Sequence, residues 1–187
     1  EFSAIVSEVS AVMSGVRYGS ATFDDYRYGG FGSGSDLPFY LQMGITSDTT
    51  ALGDTLIATP RHSGADGPES GMEALYQGLT GAGYDQNCNG VFDSTDVPPF
   101  LASSDDLFGG TAEAYDPTLP GGGTRGGFGF RSGAKPVIVY AIDNVLRDPD
   151  SGLGGGSPDG CPLDAGHSDV VAAAHAINAT LVGMAVN

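Results

Sequence analysis

The spacing of apolar residues predicts helices and strands that alternate along the chain. In residues 1–13 the apolar side chains recur every three or four positions, so they share one face of a helix, and Gly15 is placed to end it. That apolar face consists of Phe2, Ile5, Val6, Val9 and Met13. Two strands are predicted at 16–23 and 39–46, with a loop rich in Tyr, Gly and Ser at 26–35 between them.

Two further helices are predicted before the long irregular middle of the chain. Ser47 or Asp48 is placed to cap a short helix that reaches Ala58. Pro68 suits the first position of a helix that runs through Leu79. From 81 to 133 the chain has few periodic segments and many Gly, Pro and Asp residues, which is typical of a functional or otherwise restrained loop.

Regular structure returns after residue 135. Residues 137–142 form a continuous apolar run, which predicts a strand covered on both faces, as in a parallel sheet. Ser168 is placed to cap a helix to Ile177, and 180–186 is predicted to be a final buried strand. The alternation predicts one α/β domain over residues 1–187, with helices packed on both faces of a mostly parallel sheet.

The charge of the chain restricts its partners. It has 23 acidic residues against 7 Lys and Arg, a formal net charge of −16, and 18 of the acidic residues are Asp. Such a surface repels phosphate, so nucleic acids and anionic membranes are not expected partners, and no apolar run is long enough to span a membrane. Asp-rich, Lys-poor composition fits a calcium-rich extracellular setting, and it equally fits a surface adapted to salt or kept soluble by charge.

Residues 85–96 match an EF-hand-type calcium loop of the dockerin-like variant. Oxygen-bearing side chains stand at loop positions 1, 3, 5, 9 and 12, Gly90 is at position 6, and an apolar residue is at position 8. The predicted ligands are Asp85, Asn87, Asn89, the Val91 carbonyl, Asp93 and Asp96. The alternative is an ordinary Asx-rich turn. We expect Ca²⁺ to bind here and to order the loop.

Several segments resemble the von Willebrand factor A domain, particularly the integrin β I-like domain. Residues 64–75 resemble its Gly-x-Asp-x-Pro-Glu-x-Gly segment, and the strand that ends at Asp143 resembles the strand that delivers an Asp to its metal-dependent adhesion site. The order of elements agrees along all 187 residues. The resemblance implies a Rossmann-like von Willebrand A fold and a divalent-cation adhesion site.

The resemblance also assigns roles to individual residues. Glu69 and Asp143 would be Mg²⁺ or Ca²⁺ ligands of the adhesion site, and Asp66 with the Pro68 carbonyl would line an adjacent calcium site. The alternative for Glu69 and Asp143 is a helix-start carboxylate and a strand-end cap. Cys88 and Cys161 could form one disulfide or be two buried thiols by composition alone. The resemblance implies that they pair.

One part of the family pattern is missing from the sequence. The family's first strand, which ends in Asp-x-Ser-x-Ser and lies centrally in the sheet, has no counterpart, and its final helix is absent too. Without that strand, 16–23 and 137–142 would flank a central slot with unpaired backbone on both sides. A longer natural chain, a cleaved piece or a strand from a partner or neighbouring subunit would each fill it.

These features together predict function. The leading expectation is an extracellular or cell-surface calcium-binding adhesion module that binds a protein partner through a divalent cation. The alternative is a structural subunit of an extracellular filament or surface layer, stabilised by calcium and a disulfide. Catalysis is not expected, because the chain has no nucleophile elbow and its three His residues lack metal-pair spacing.

Overall fold

The computed structural model describes residues 2–60, 65–100, 123, 125–155 and 164–185. In these residues the chain is mixed α/β. The helices are α1 (Phe2–Val12), α2 (Thr49–Ala58), α3 (Gly71–Thr80) and α4 (His167–Ile177), with a 3₁₀ turn at Pro149–Ser151. The strands are β1 (Tyr18–Thr22), β2 (Tyr40–Thr46), β3 (Val137–Ile142) and β4 (Thr180–Ala185).

The strands form two small sheets. β1 pairs with β2 antiparallel, and β3 pairs with β4 parallel in continuous register from Val137–Thr180 to Ile142–Ala185. As expected, β1 and β3 are not hydrogen-bonded to each other in the described chain. Residues 18–24 and 137–143 both line one cavity of about 910 Å³, which we call the β1–β3 slot.

Two apolar clusters hold these elements together. The first joins α3, α4 and β3 around Leu79, Ile138 and Val170. The second lies beside the 85–96 loop and is built around Tyr26, Phe39, Ala74, Tyr84 and Val97. Burying Leu, Ile and Val side chains of this kind stabilises the fold by about 1.5–3 kcal/mol each.

Most predicted elements form within two residues of their expected bounds, but two helix starts differ. α3 begins at Gly71 and not at Pro68, because the Glu69 backbone pairs with the 145–147 segment: Glu69 N–H donates to the Val145 carbonyl at 3.0 Å. The N-cap of α4 is Gly166 and not Ser168, because Asp150 reaches across from the 3₁₀ turn and accepts the Ser168 N–H at 2.7 Å.

Burial of the later strands also differs from expectation. β3 was expected to be covered on both faces, yet Val137 is 51% exposed and Val139 is 36% exposed, while Ile138 between them is buried. β4 is mostly exposed over its described residues, and Val186 lies outside them. The exposed side chains Val137 and Val139 lie on the same face of β3, so that face is open, whereas the face that carries Ile138 packs against α3 and α4. No helix in the described residues is long and apolar enough to cross a membrane.

Candidate calcium loop and acidic cluster

A short backbone ladder closes the base of the 85–96 loop. Tyr84 N–H donates to the Val97 carbonyl at 2.8 Å, and Val97 N–H donates back to the Tyr84 carbonyl at 3.0 Å. Both side chains are buried in the apolar cluster with Tyr26. The two ends of the loop are therefore fixed to the core, which brings positions 1 and 12 close together.

The first half of the loop folds around the side-chain oxygens at positions 1, 3 and 5. The Asp85 carboxylate accepts the N–H groups of Asn89 at 3.3 Å and Gly90 at 2.8 Å. Asn87 Oδ1 accepts the Asn89 N–H at 3.0 Å, and Asn89 Oδ1 accepts the Val91 N–H at 2.7 Å. Gly90 has φ +76°, a conformation that suits glycine at the sharp bend.

The second half is held by the carboxylates at positions 9 and 12. Asp96 Oδ1 accepts the Gln86 N–H at 2.8 Å and its Oδ2 accepts the Asp93 N–H at 3.0 Å. Asp93 Oδ1 accepts the Thr95 N–H at 2.7 Å. Phe92, the apolar residue at position 8, is buried as the loop pattern requires. The loop is therefore bent inward and anchored at both ends.

The electrostatics of the loop change from its buried end to its exposed end. Burial raises the pKa of Asp96, and the nearby charges of Asp85 and Asp93 raise it further. Hydrogen bonds from Thr95 lower the pKa of the exposed Asp93. A cation beside these three carboxylates would offset both the burial and the mutual repulsion of their charges.

The donor set fits a hard cation with oxygen ligands. In the described part of the chain, no three His, Cys, Asp or Glu side chains converge in a group that could hold a metal ion. The loop contributes a different set, with the amide oxygens of Asn87 and Asn89 and the Val91 carbonyl besides its carboxylates. Calcium accepts such mixed oxygen ligands in flexible geometry. The predicted ligands therefore lie in one loop, but the carboxylates of Asp85, Asp93 and Asp96 do not form a converged metal-binding group among the described residues.

A second acidic region surrounds Arg147, which the sequence analysis did not identify. Its Nε donates to Asp25 Oδ1 at 3.0 Å and to Oδ2 at 3.1 Å. Its Nη2 also donates to Asp25, and to Asp66 Oδ1 at 2.9 Å and the Pro68 carbonyl at 3.1 Å. The guanidinium stacks on Phe31, with 4.1 Å from its carbon to the ring centroid.

Arg147 thus bonds the two groups that the resemblance assigned to a calcium ion. In this structure Asp66 and the Pro68 carbonyl contact the guanidinium of Arg147, which supplies the positive charge expected from the calcium ion. The only sequence signal was scarcity: Arg147 is one of 7 basic residues, and it lies in an Asp-rich loop. Nothing in its local sequence indicated that it would reach back to Asp25, 122 positions earlier.

Glu69 lies at the junction of the two sheets. Burial and the charges of Asp25, Asp24 and Asp66 raise the pKa of its carboxyl to about 7, against an ordinary value of 4.5. Its Oε2 atom is buried and has no hydrogen-bond partner among the residues that the structure describes. A buried carboxylate oxygen with no partner is costly, and it is the kind of atom that a bound cation or an N–H donor would satisfy.

Asp143 follows β3 and is exposed at the same end of the β1–β3 slot. It stands two residues before Val145, whose carbonyl accepts the Glu69 N–H. The fold therefore brings the two predicted adhesion-site residues to one end of the slot. Cys161 lies outside the described residues, so the pairing with Cys88 stays a prediction.

No protein-family model matches the chain, and no curated protein matches it either. The interpretation of these sites therefore depends on their residues and geometry.

Proposed function

We propose that this chain is an extracellular protein-interaction module of the von Willebrand A type that binds calcium through residues 85–96. The observation that carries the proposal is the bent loop, in which Asp85 and Asp96 hold backbone N–H groups from both ends around the oxygens of positions 1, 3, 5, 9 and 12. Calcium would be held by those side chains and by the Val91 carbonyl. Its role would be to fix residues 85–100 against the core.

The module would contact its partner through a second cation at the end of the β1–β3 slot. Two observations on Glu69 support this part of the proposal: its Oε2 atom has no hydrogen-bond partner within the described part of the chain, and the pKa of its carboxyl is about 7. A cation there would oppose the repulsion from Asp24, Asp25 and Asp66. Glu69 and Asp143 would be its ligands. A Mg²⁺ or Ca²⁺ ion with an open coordination position could then bind a carboxylate of the partner.

The alternative, a structural subunit of an extracellular assembly, is favoured by the two strand edges beside the slot. Unpaired edges are sites where another chain adds a strand. Analytical ultracentrifugation discriminates the two functions. Calcium-dependent filaments or higher oligomers support the assembly, and a monomer that binds a partner only with cation present supports the adhesion module.

Calcium binding by the loop is tested by titration calorimetry on the wild type, D85N and D48N. Asp48 caps α2 outside the loop, and Asn caps helices about as well as Asp, so D48N matches the charge change alone. We expect saturable binding to the wild type and D48N and loss of binding in D85N. Calcium at 100 times its Kd should raise the free energy of unfolding by about 2.7 kcal/mol, or Tm by roughly 5–11 °C.

Limited proteolysis provides the structural readout. Chelator should increase cleavage within residues 85–100 in the wild type and D48N, and calcium should restore protection. Equal resistance with and without chelator, together with calorimetry that shows no heat of binding, would contradict the proposal.

A further inference from the structure

The β1–β3 slot is bounded by two strands that run in the same direction. Just after their carboxyl ends, both strands are held by residues 69 and 70: Ser70 N–H donates to the Asp24 carbonyl, and Glu69 N–H donates to the Val145 carbonyl. The carboxyl ends of β1 and β3 therefore lie next to the same short segment. At the other end, Arg131 Nη2 donates to the Gly15 carbonyl at 3.0 Å. In the described chain β1 is paired only with β2, and β3 only with β4.

The slot is lined by apolar side chains, and those on α1 and two on β3 are incompletely buried. The whole apolar stripe of α1 lines it, yet α1 has no buried residue. α3 contributes Ala74 and Leu75, and β3 contributes Val137 and Val139, both exposed. Because Ile138 is buried against α3 and its neighbours point the other way, apolar surface faces the slot on both sides of the sheet.

The buried polar atoms without partners are found at the same place. Across the described residues, three buried side-chain atoms have no hydrogen-bond partner: Arg17 Nε, Ser20 Oγ and Glu69 Oε2. All three residues line the β1–β3 slot. Unsatisfied buried groups are rare in native proteins, and their coincidence with two unpaired strand edges indicates that a hydrogen-bonding occupant belongs there.

The two ends of the slot carry opposite charges. Arg17, Arg131 and Lys135 line it before the strands begin, and Asp24, Glu69 and Asp143 line it where the strands end. An occupant that runs parallel to β1 and β3 would therefore match the slot with an acidic residue at its amino end and a basic residue at its carboxyl end.

We propose that the β1–β3 slot captures one extended apolar strand of a partner polypeptide, which runs parallel to β1 and β3 and pairs with both at once. The segment is five to six residues long, to match β1 (5 residues) and β3 (6 residues). It is apolar at successive positions, because both its faces meet apolar side chains. This interaction is separate from calcium binding by the 85–96 loop, because no residue of that loop lines the slot. It shares Glu69 and Asp143 with the proposed second cation site, because both of these residues line the slot.

The test uses a labelled seven-residue peptide with an amino-terminal Glu, five β-branched apolar residues and a carboxyl-terminal Lys. Fluorescence polarisation measures its binding to the full chain, in calcium and in chelator. One control peptide has Pro at the centre, which removes an N–H and breaks strand pairing. A second has Glu and Lys exchanged, which opposes the charges of the slot if the strand is parallel.

Two protein variants provide matched controls. Val139 and Val182 are cross-strand partners on β3 and β4 with similar exposure, but only Val139 lines the slot. We expect saturable one-to-one binding that raises Tm by about 5 °C or more at saturating peptide. V139K should weaken it at least ~10-fold and V182K less than ~3-fold, because a Lys in the slot must be desolvated.

A measurement on the wild type keeps the proposal testable if V139K does not fold. Hydrogen exchange should show that the peptide protects amides in residues 18–22 and 137–142. The proposal is overturned if the peptide does not bind, if the Pro or charge-exchanged peptide binds equally well, or if those amides gain no protection. It is also overturned if the free chain forms a dimer that protects the same amides, because a second copy would then fill the slot. Each of these failures leaves the calcium proposal standing.

Discussion

Replacing Arg147 with Ala should be among the most destabilising single changes in the chain. The Arg147 side chain is 4% exposed and its partner Asp25 is 0% exposed, so the ion pair is sealed from water. The change removes hydrogen bonds to both Asp25 oxygens, both Asp66 oxygens and the Pro68 carbonyl. Among the described residues, the buried Asp25 carboxylate then keeps one hydrogen-bond donor, the Tyr26 N–H at 2.7 Å.

The expected loss of stability follows from leaving the Asp25 charge buried without its ion-pair partner. Removing one partner of a buried ion pair costs about 3–5 kcal/mol, which for a chain of this length lowers Tm by roughly 6–20 °C. Burial already raises the pKa of Asp25, and Arg147 opposes that rise. Without Arg147 the pKa of Asp25 rises further, so the native state of R147A binds a proton more readily than the unfolded state, and R147A should regain stability as the pH falls.

The assay is urea denaturation followed by circular dichroism at pH 7 and pH 5, on the wild type, R147A, D25N and the double variant. D25N/R147A should be more stable than R147A at pH 7, because it removes the unpaired charge. R131A is the control: Arg131 is partly exposed and donates to one backbone carbonyl, so its loss should cost less than about 1 kcal/mol. The reasoning is refuted if R147A loses no more free energy of unfolding than R131A. It is also refuted if the difference in that free energy between the wild type and R147A is as large at pH 5 as at pH 7.

Two further changes test the core and the loop. Glu73 is fully buried and burial raises its pKa to about 7, so the native state holds its proton more tightly than the unfolded state. The free energy of unfolding should therefore fall by about 3 kcal/mol as the pH rises from 4.5 past 7. Urea titrations across this pH range should show a smaller fall in E73Q. If the free energy of unfolding of E73Q depends on pH as steeply as that of the wild type, Glu73 is not responsible for the pH dependence. F92A should cost about 3 kcal/mol and weaken calcium binding, because the ring is buried against Gly83, whereas V91A at the exposed neighbour should change stability by less than about 0.5 kcal/mol; equal effects of the two would contradict the anchoring role of Phe92.

Local sequence signals predicted the elements whose ends are decided locally. Asp48 caps α2 with its own side chain, which accepts the N–H groups of Thr50 and Ala51, and this was readable from the sequence. The apolar spacing likewise placed β3, which spans the predicted residues 137–142. In both segments the residues that fix the structure are neighbours along the chain.

The errors occur where distant segments decide the outcome. The start of α3 is set by backbone pairing of Glu69 with residues near 146, and the cap of α4 is supplied by acidic side chains near 150. Neither interaction leaves a pattern in the local sequence. The 85–96 loop could be proposed as a calcium site because its oxygen-bearing side chains follow one another at fixed spacing. The Arg147 site was missed because its members come from three separate segments, around residues 25, 66–68 and 147.

The most direct test of calcium binding is anomalous diffraction from crystals grown with Ca²⁺ and then with Tb³⁺ in its place. The account predicts a strong anomalous peak inside the 85–96 loop, at roughly 2.3–2.6 Å from the oxygens of Asp85, Asn87, Asn89, Val91, Asp93 and Asp96. A well-ordered loop with no peak at either ion, at a resolution that shows its side chains, would contradict the account.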